Sequence, residues 1–451
     1  MVLRSEPLLP ACWMLVALCF AWPAGAATAD GRLATAAMHD SAAVGGIQLA
    51  AGDSVGLPLD DVLRRTAERN PSIAAARAAW QEAEARTRQA GALEDPTVDF
   101  MAAPQSFGSS AVNPAYRIAL TQPFPIFGQR GLRGDVASSE SRAAEYDLHA
   151  VQLDLLRDAR MAYFDYWRIE RAIGLTQELL PLMGEFRRVT LAKYSSGVVG
   201  QQDPLQADAE TAMLDHQLVM LQREREITVA KLNVLMHDSP EHDLPAPPHE
   251  LPVPDTSFVH SDLAPRARAL RPELRAADAM VEASKANLSL AERGRWPTTS
   301  FGFAYDRFWS EPELRPSVGI TLSLPINFGR LSAERAEARA RLAGTEARRD
   351  IVADSVALQV EAAADRLHEL AHDLSIARDR MVPLAERTVR AARAGYESNR
   401  SDFTTLLTSV RDLFRAHLEA DASFAMLLQA RADLDRALGE APSFLKEERS
   451  K

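Results

Sequence analysis

Ser317-Val-Gly-Ile-Thr-Leu-Ser-Leu324 decides the fold. Val318, Ile320, Leu322 and Leu324 fall on one side of an extended chain, with Ser317, Gly319, Thr321 and Ser323 on the other. That is the period-two pattern of a strand with one apolar face. Working backward, Phe301, Phe303 and Tyr305 oppose Ser300, Gly302, Ala304 and Asp306, and turn-rich Trp309–Pro316 joins the two runs. Working forward, Phe328-Gly329 leads into Arg330–Ser398, which has no strong internal stop and reads as helix. At 1.5 Å per residue such a helix spans about 100 Å.

The same order stands earlier in the chain. Phe127-Gly128, Pro96-Thr97 and Asn70-Pro71 precede Phe328-Gly329, Pro297-Thr298 and Arg271-Pro272 by 201 residues each. Pro181 and Pro383, like Tyr194 and Tyr396, stand 202 apart. A near-constant offset over that span marks a duplication. The copies are 58–238 and 261–439, joined by a Pro-rich connector at 239–260. Each reads short helix, helix, strand pair, very long helix, return helix. The strands lie at about 97–124 and about 298–325. In the first copy Val98 and Phe100 alternate with Thr97 and Asp99, and Tyr116, Ile118 and Leu120 with Arg117, Ala119 and Thr121.

The long helices, Gln129–Ser196 and Arg330–Ser398, carry coiled-coil spacing. In the second copy it runs Val356, Val360, Ala363, Leu367, Leu370, Leu374, Ala377, Met381, Leu384, and the return helix repeats it from Leu406 to Leu438. Pro181 and Pro383 are expected to kink or break their helices. The strands suit either a half-wet soluble sheet or a membrane barrel. Four strands are too few to close an open barrel, whereas three copies supply 12.

Composition narrows the function. The 451 residues are 47% hydrophobic and 25% charged, a globular balance. A net charge of −11 argues against a nucleic-acid binder with a basic face. Leu8–Trp22, after Arg4 and before Ala24-Gly-Ala-Ala27, reads as a signal peptide over 1–26. It is the one membrane-helix candidate, which excludes a multi-helix inner-membrane transporter. Both cysteines, Cys12 and Cys19, lie inside it, so the mature chain has no disulfide, thiolate site or thiol nucleophile. Residues 27–57 read as a flexible arm and 440–451 as a tail.

Two strand pairs, two long coiled-coil hairpins, a signal peptide and a duplication together resemble the TolC-like outer-membrane efflux proteins. Leu120-Thr-Gln-Pro-Phe-Pro-Ile-Phe-Gly-Gln-Arg-Gly-Leu-Arg133 looks like the strand-to-helix junction of the heavy-metal, CzcC-like branch. Tyr194-Ser-Ser-Gly-Val-Val-Gly-Gln-Gln-Asp-Pro-Leu205 looks like the family's helix-hairpin tip, and Tyr396–Leu407 is its second copy, with Asn399 in place of Gly. Asn tolerates positive φ, so the tip survives the change.

The resemblance implies a mainly α fold with a small β part. Three copies would pool their strands into a 12-stranded outer-membrane barrel above a periplasmic α-barrel. It implies a homotrimeric passive duct without cofactor, serving an inner-membrane pump of the RND type through a periplasmic adaptor. It places lipid against Phe301, Phe303, Val318, Ile320 and Leu322. It assigns an aperture gate to Tyr194, Asp203, Tyr396, Asp402, Thr405 and Thr408, where the two Thr replace family Asp residues. Adaptor contact falls on Gly197, Val198, Asn399 and Arg400. A soluble periplasmic coiled-coil adaptor or scaffold is the alternative, and the exposure of the strand faces separates the two.

His368-Glu-Leu-Ala-His372 fits the zinc-peptidase pattern. It sits inside an uninterrupted heptad run, far from any expected cleft, and reads as a solvated helix face. His237, His242, His249 and His260 surround the connector and read as linker, while His417 falls on a seam position. No resident metal site, phosphate loop or nucleophile–base pair is expected.

Overall fold

The computed structural model describes residues 56–125 and 128–442. The signal peptide, nearly all of the arm and the end of the tail lie outside these described residues. Helices α1 (Leu59–Arg69) and α2 (Pro71–Ala90) lead into strands β1 (Thr97–Ala102) and β2 (Tyr116–Phe124), then α3 (Gln129–Ser195) and α4 (Gln202–Leu235). The order repeats as α5 (His260–Leu270), α6 (Pro272–Arg293), β3 (Thr298–Asp306), β4 (Pro316–Ser323), α7 (Phe328–Ile376), α8 (Val382–Glu397) and α9 (Phe403–Leu438).

The helix starts follow local chemistry. Asn70 caps α2 by accepting from Ser72 N at 2.9 Å, with Pro71 at the first helical position. Asn327 caps α7 by accepting from Arg330 N at 3.0 Å. Gly128 starts α3 at φ 71, a conformation that suits glycine.

The duplication holds in detail below the sheet. Val360, Ala364, Leu367, Leu370 and Leu374 of α7 are buried, as are Ala159, Tyr163, Tyr166, Ile169 and Ile173, their counterparts 201 positions earlier in α3. The offset then becomes 202, and the added residue has a visible place. Ala377–Met381 forms a π-helical turn between α7 and α8. A π turn holds one more residue per ring than an α turn, so it absorbs a single insertion. This corrects the expected seam: Met381 and Leu384 are exposed, and the stripe resumes one residue late at Ala385, Val389, Ala392 and Tyr396. It also divides the expected second long helix.

Pro181 does not break α3, which is continuous across it. Gln177 and Pro181 are both exposed, so water can take the carbonyl that loses its donor.

The main core lies where α1 and α5 pack on α3, α7 and α9. The connector is docked there, not a free linker: Leu244 is buried, and the Tyr166 hydroxyl donates to its carbonyl at 3.1 Å. Tyr163 likewise donates to Leu57 O at 2.7 Å.

The four strands form one antiparallel sheet in the order β1-β2-β3-β4. Val98 faces Leu120, Leu120 faces Phe303 and Phe303 faces Val318, so one apolar face runs across all four strands. Directly opposite residues share a face of an antiparallel sheet.

Candidate functional site

Two regions hold the residues singled out from the sequence: the sheet and the helical tips. On the sheet, Val98, Phe100, Ile118, Leu120, Phe301, Phe303, Val318, Ile320 and Leu322 share the apolar face, and all are exposed in the single chain. Exposure reaches 53% at Phe303, 65% at Ile320 and 85% at Val318. The opposite face carries Asp99, Arg117, Thr121, Ser300, Gly302, Asp306, Ser317, Thr321 and Ser323. Phe124 and Phe301 meet edge-on at 6.3 Å. The outer edges of β1 and β4 have no partner strand among the described residues. Unpaired edges beside a bare apolar face are a strong drive to association.

At the tips, the Tyr-x-x-Gly signature is a helix terminus. Gly197 N donates to Tyr194 O at 2.9 Å and Val198 N to Lys193 O at 2.9 Å, with Gly197 at φ 71. That bond pair is the Schellman cap. The second copy repeats it: Asn399 N donates to Tyr396 O at 3.2 Å and Arg400 N to Gly395 O at 2.8 Å, with Asn399 at φ 54. Positive φ strains a β-branched residue by roughly 1–2 kcal/mol. Asn399→Ile is expected to lower the melting temperature further than Asn399→Gly, since both lose the side-chain bond from Lys193 and only the branched residue adds strain. Equal melting of both variants would remove this account of the cap.

The gate candidates separate into two groups. Tyr396 and Asp203 are buried within the single chain, at 5% and 7% exposure. Tyr194 is 42% exposed, and Thr405, Thr408, Gly197, Val198, Asn399 and Arg400 are exposed as well. Asp402 is the N-cap of α9: its carboxylate accepts from Thr405 N at 3.0 Å and from the Thr405 hydroxyl. Those bonds hold the Asp402 carboxyl below the usual range. Tyr396 packs on Phe403 at 5.7 Å between ring centres, and Phe403 meets Phe186 edge-on at 6.1 Å.

Lys193 was not singled out from the sequence, yet it joins the two hairpins. Its ammonium lies 4.0 Å from the centre of the Tyr396 ring. It donates to Tyr396 O at 2.8 Å and to Asn399 Oδ1 at 3.0 Å. Behind it, Arg411 and Glu210 link α9 to α4, with Nε to Oε2 at 2.7 Å.

Burial, and then the nearby Asp402, push the Asp203 carboxyl above its ordinary value, while Lys193 pulls the other way. Its neutral form is therefore the one the fold prefers. The stability it contributes is full below the ordinary aspartate pKa and is lost as pH rises through the raised value. Asp203→Asn is expected to stabilise the tips at pH 7 and to flatten this part of a melting profile taken from about pH 4 to 7. A profile unchanged by the substitution would discount Asp203.

The histidines do not converge. His237 ends α4 at φ 58, His249 rests against Arg171, and His260 lies 3.9 Å from Glu361. His417 is half-buried, and His368 and His372 are exposed on α7. Glu369 is held by Arg366 at 2.6 Å. Among the described residues, no three His, Cys, Asp or Glu side chains are grouped to hold a metal ion, and no helix is long and apolar enough to cross a membrane.

The family model described as outer membrane efflux protein matches the chain twice, over residues 62–236 and 263–440. The chain is similar to the nickel-cobalt-cadmium resistance protein NccC of Alcaligenes xylosoxydans xylosoxydans, at 27% identity over 305 residues, 65% of this chain and 67% of the relative. It is also similar to the nickel and cobalt resistance protein CnrC of Cupriavidus metallidurans, at 28% identity over 323 residues, 68% of this chain and 74% of the relative. Among solved structures, CusC superposes with a TM-score of 0.73 at 17% identity, covering 86% of this chain and 93% of its own. The outer membrane protein VceC of Vibrio cholerae superposes with 0.70 at 18% identity, covering 85% and 96%.

Proposed function

The chain belongs to the outer membrane efflux protein family, and on that premise we propose that three copies form the outer-membrane duct of a tripartite efflux system. Four strands from each copy join through the free edges of β1 and β4, and 12 strands close a barrel. The exposed apolar face then meets lipid, and the Ser, Thr, Gly and charged face lines water. The observation that carries this reading is the continuous bare apolar face across the whole sheet. A periplasmic scaffold has no use for it.

Below the barrel, α3 at about 1.5 Å per residue extends about 100 Å, enough to bridge far into the periplasm. The duct does no chemistry. It offers a wet path, and an adaptor and an inner-membrane pump supply selection and energy. Gly197, Val198, Asn399 and Arg400 at the exposed tips are the adaptor contacts. Divalent metal cations are the cargo, since the two curated relatives are named for nickel, cobalt and cadmium resistance.

The test is deletion of the gene with growth measured side by side in nickel, cobalt and cadmium salts and in hydrophobic drugs. Sensitisation to the metals alone is expected, restored by the intact gene. Sensitisation to drugs alone would replace the cargo assignment, and a heat-stable trimer missing from the outer-membrane fraction would remove the duct.

A further inference from the structure

His368-Glu-Leu-Ala-His372 is a motif that the duct leaves without a task, and the duplication supplies its setting. At the offset of 201 that the buried seam obeys, His368 and His372 stand where α3 has Trp167 and Arg171. Those two close α3 against α9. Trp167 meets Phe424 edge-on at 5.3 Å, and Arg171 Nε lies 3.1 Å from Asp421. In α7 the equivalent face has no such cover among the described residues, and both histidines are exposed. The second copy has exchanged a packing residue and an ion-pairing residue for two imidazoles.

We infer that His368 and His372 form a two-imidazole binding site for a divalent transition-metal ion on this face of α7. Residues four apart on a helix hold their Cβ atoms about 5–6 Å from each other and lean the same way, so both rings can reach one ion. Helix α7 is continuous from Phe328 to Ile376, which fixes that spacing. Imidazole suits nickel, copper and zinc, and disfavours calcium and magnesium. Asp365 lies one turn before His368, at a spacing suited to accept the ring N–H turned away from an ion.

Glu369 is held by Arg366 and is not part of the site. No third His, Cys, Asp or Glu among the described residues completes a cage, so the remaining positions fall to water or to the neighbouring copy. In the trimer proposed above, the repeat relation sets α4 of a neighbouring copy opposite α7, as α9 stands opposite α3. The counterparts of Asp421 and Phe424 there are Val219 and Gln222, neither of which carries a charge that would compete for the rings. The inference rests on α7 and not on what the duct carries, so the growth test and the binding test fail independently.

The experiment is calorimetric titration of the purified, untagged protein in detergent with nickel chloride. The His368→Ala/His372→Ala double variant is expected to lose one nickel equivalent per chain, or to weaken the tightest binding at least about tenfold. His242→Ala in the connector and Glu369→Gln are expected to match wild type. As a second reading, nickel should protect His368 and His372 of wild type from diethyl pyrocarbonate, mapped by mass spectrometry. Wild-type affinity and stoichiometry in the double variant, or equal labelling of both rings with and without nickel, overturns the site.

Discussion

Lys193→Met is expected to open the periplasmic mouth of the reconstituted channel. The substitution keeps an unbranched apolar stem and deletes the ammonium that ties the first hairpin to the second. That ammonium donates to Tyr396 O at 2.8 Å and to Asn399 Oδ1 at 3.0 Å, and faces the Tyr396 ring at 4.0 Å. Hydrogen bonds from a charged donor contribute roughly 1.5–3 kcal/mol, and a partly exposed cation–π contact about 0.5–1 kcal/mol. With discount for water at the tip, a net loss of about 2 kcal/mol shifts the open-to-closed ratio about thirtyfold. Single-channel conductance in planar bilayers reads this directly, and Lys193→Arg should retain most of the closed state. A Lys193→Met channel as quiet as wild type would show that the Tyr396 cluster is packing and not a latch.

The second large effect is expected in the sheet. Val318→Arg puts a guanidinium on the apolar face, at the most exposed of its large residues. An Arg on the lipid side of a barrel costs about 2–4 kcal/mol near the bilayer midplane, and a trimer bears it three times. Heat-modifiable trimer in the outer-membrane fraction should fall more than tenfold. Thr321→Arg, on the opposite face of the same strand, should still assemble and should alter ion selectivity instead. If Val318→Arg assembles normally while Thr321→Arg does not, the two faces have been assigned the wrong way round.

Much of the architecture was legible in the residues. The alternation from Ser317 to Leu324 and from Ser300 to Asp306 corresponds to strands β4 and β3, and the Gly-Pro punctuation gave both the duplication and its offset. Asn399 was readable as a positive-φ cap, because the first copy has Gly197 at the matching place. What could not be read is which Tyr of the pair is buried. Tyr194 and Tyr396 sit in the same local signature, so no local rule separates them. The difference comes from across the molecule: Lys193 and Phe403 enclose Tyr396, with Phe186 behind them. Lys193 went unnoticed because its counterpart 202 positions later is Gly395, so the repeat offered no second example to compare. The reading of Gln129–Ser196 as one helix agrees with α3, and the local break allowed at Pro181 does not occur. Proline's penalty depends on whether water reaches the freed carbonyl, and that is a property of the surface.

The π turn at Ala377–Met381 has a consequence for how the molecule keeps time along its length. The two halves differ by a single peptide unit over a rod of about 100 Å. Were that unit spread along the rod, every knob below it would drift out of phase with its hole, down to the mouth. Taken up within five residues, it acts like a leap day. The calendar above and the calendar below both run true, and the sheet end and the tip end can vary without disturbing each other.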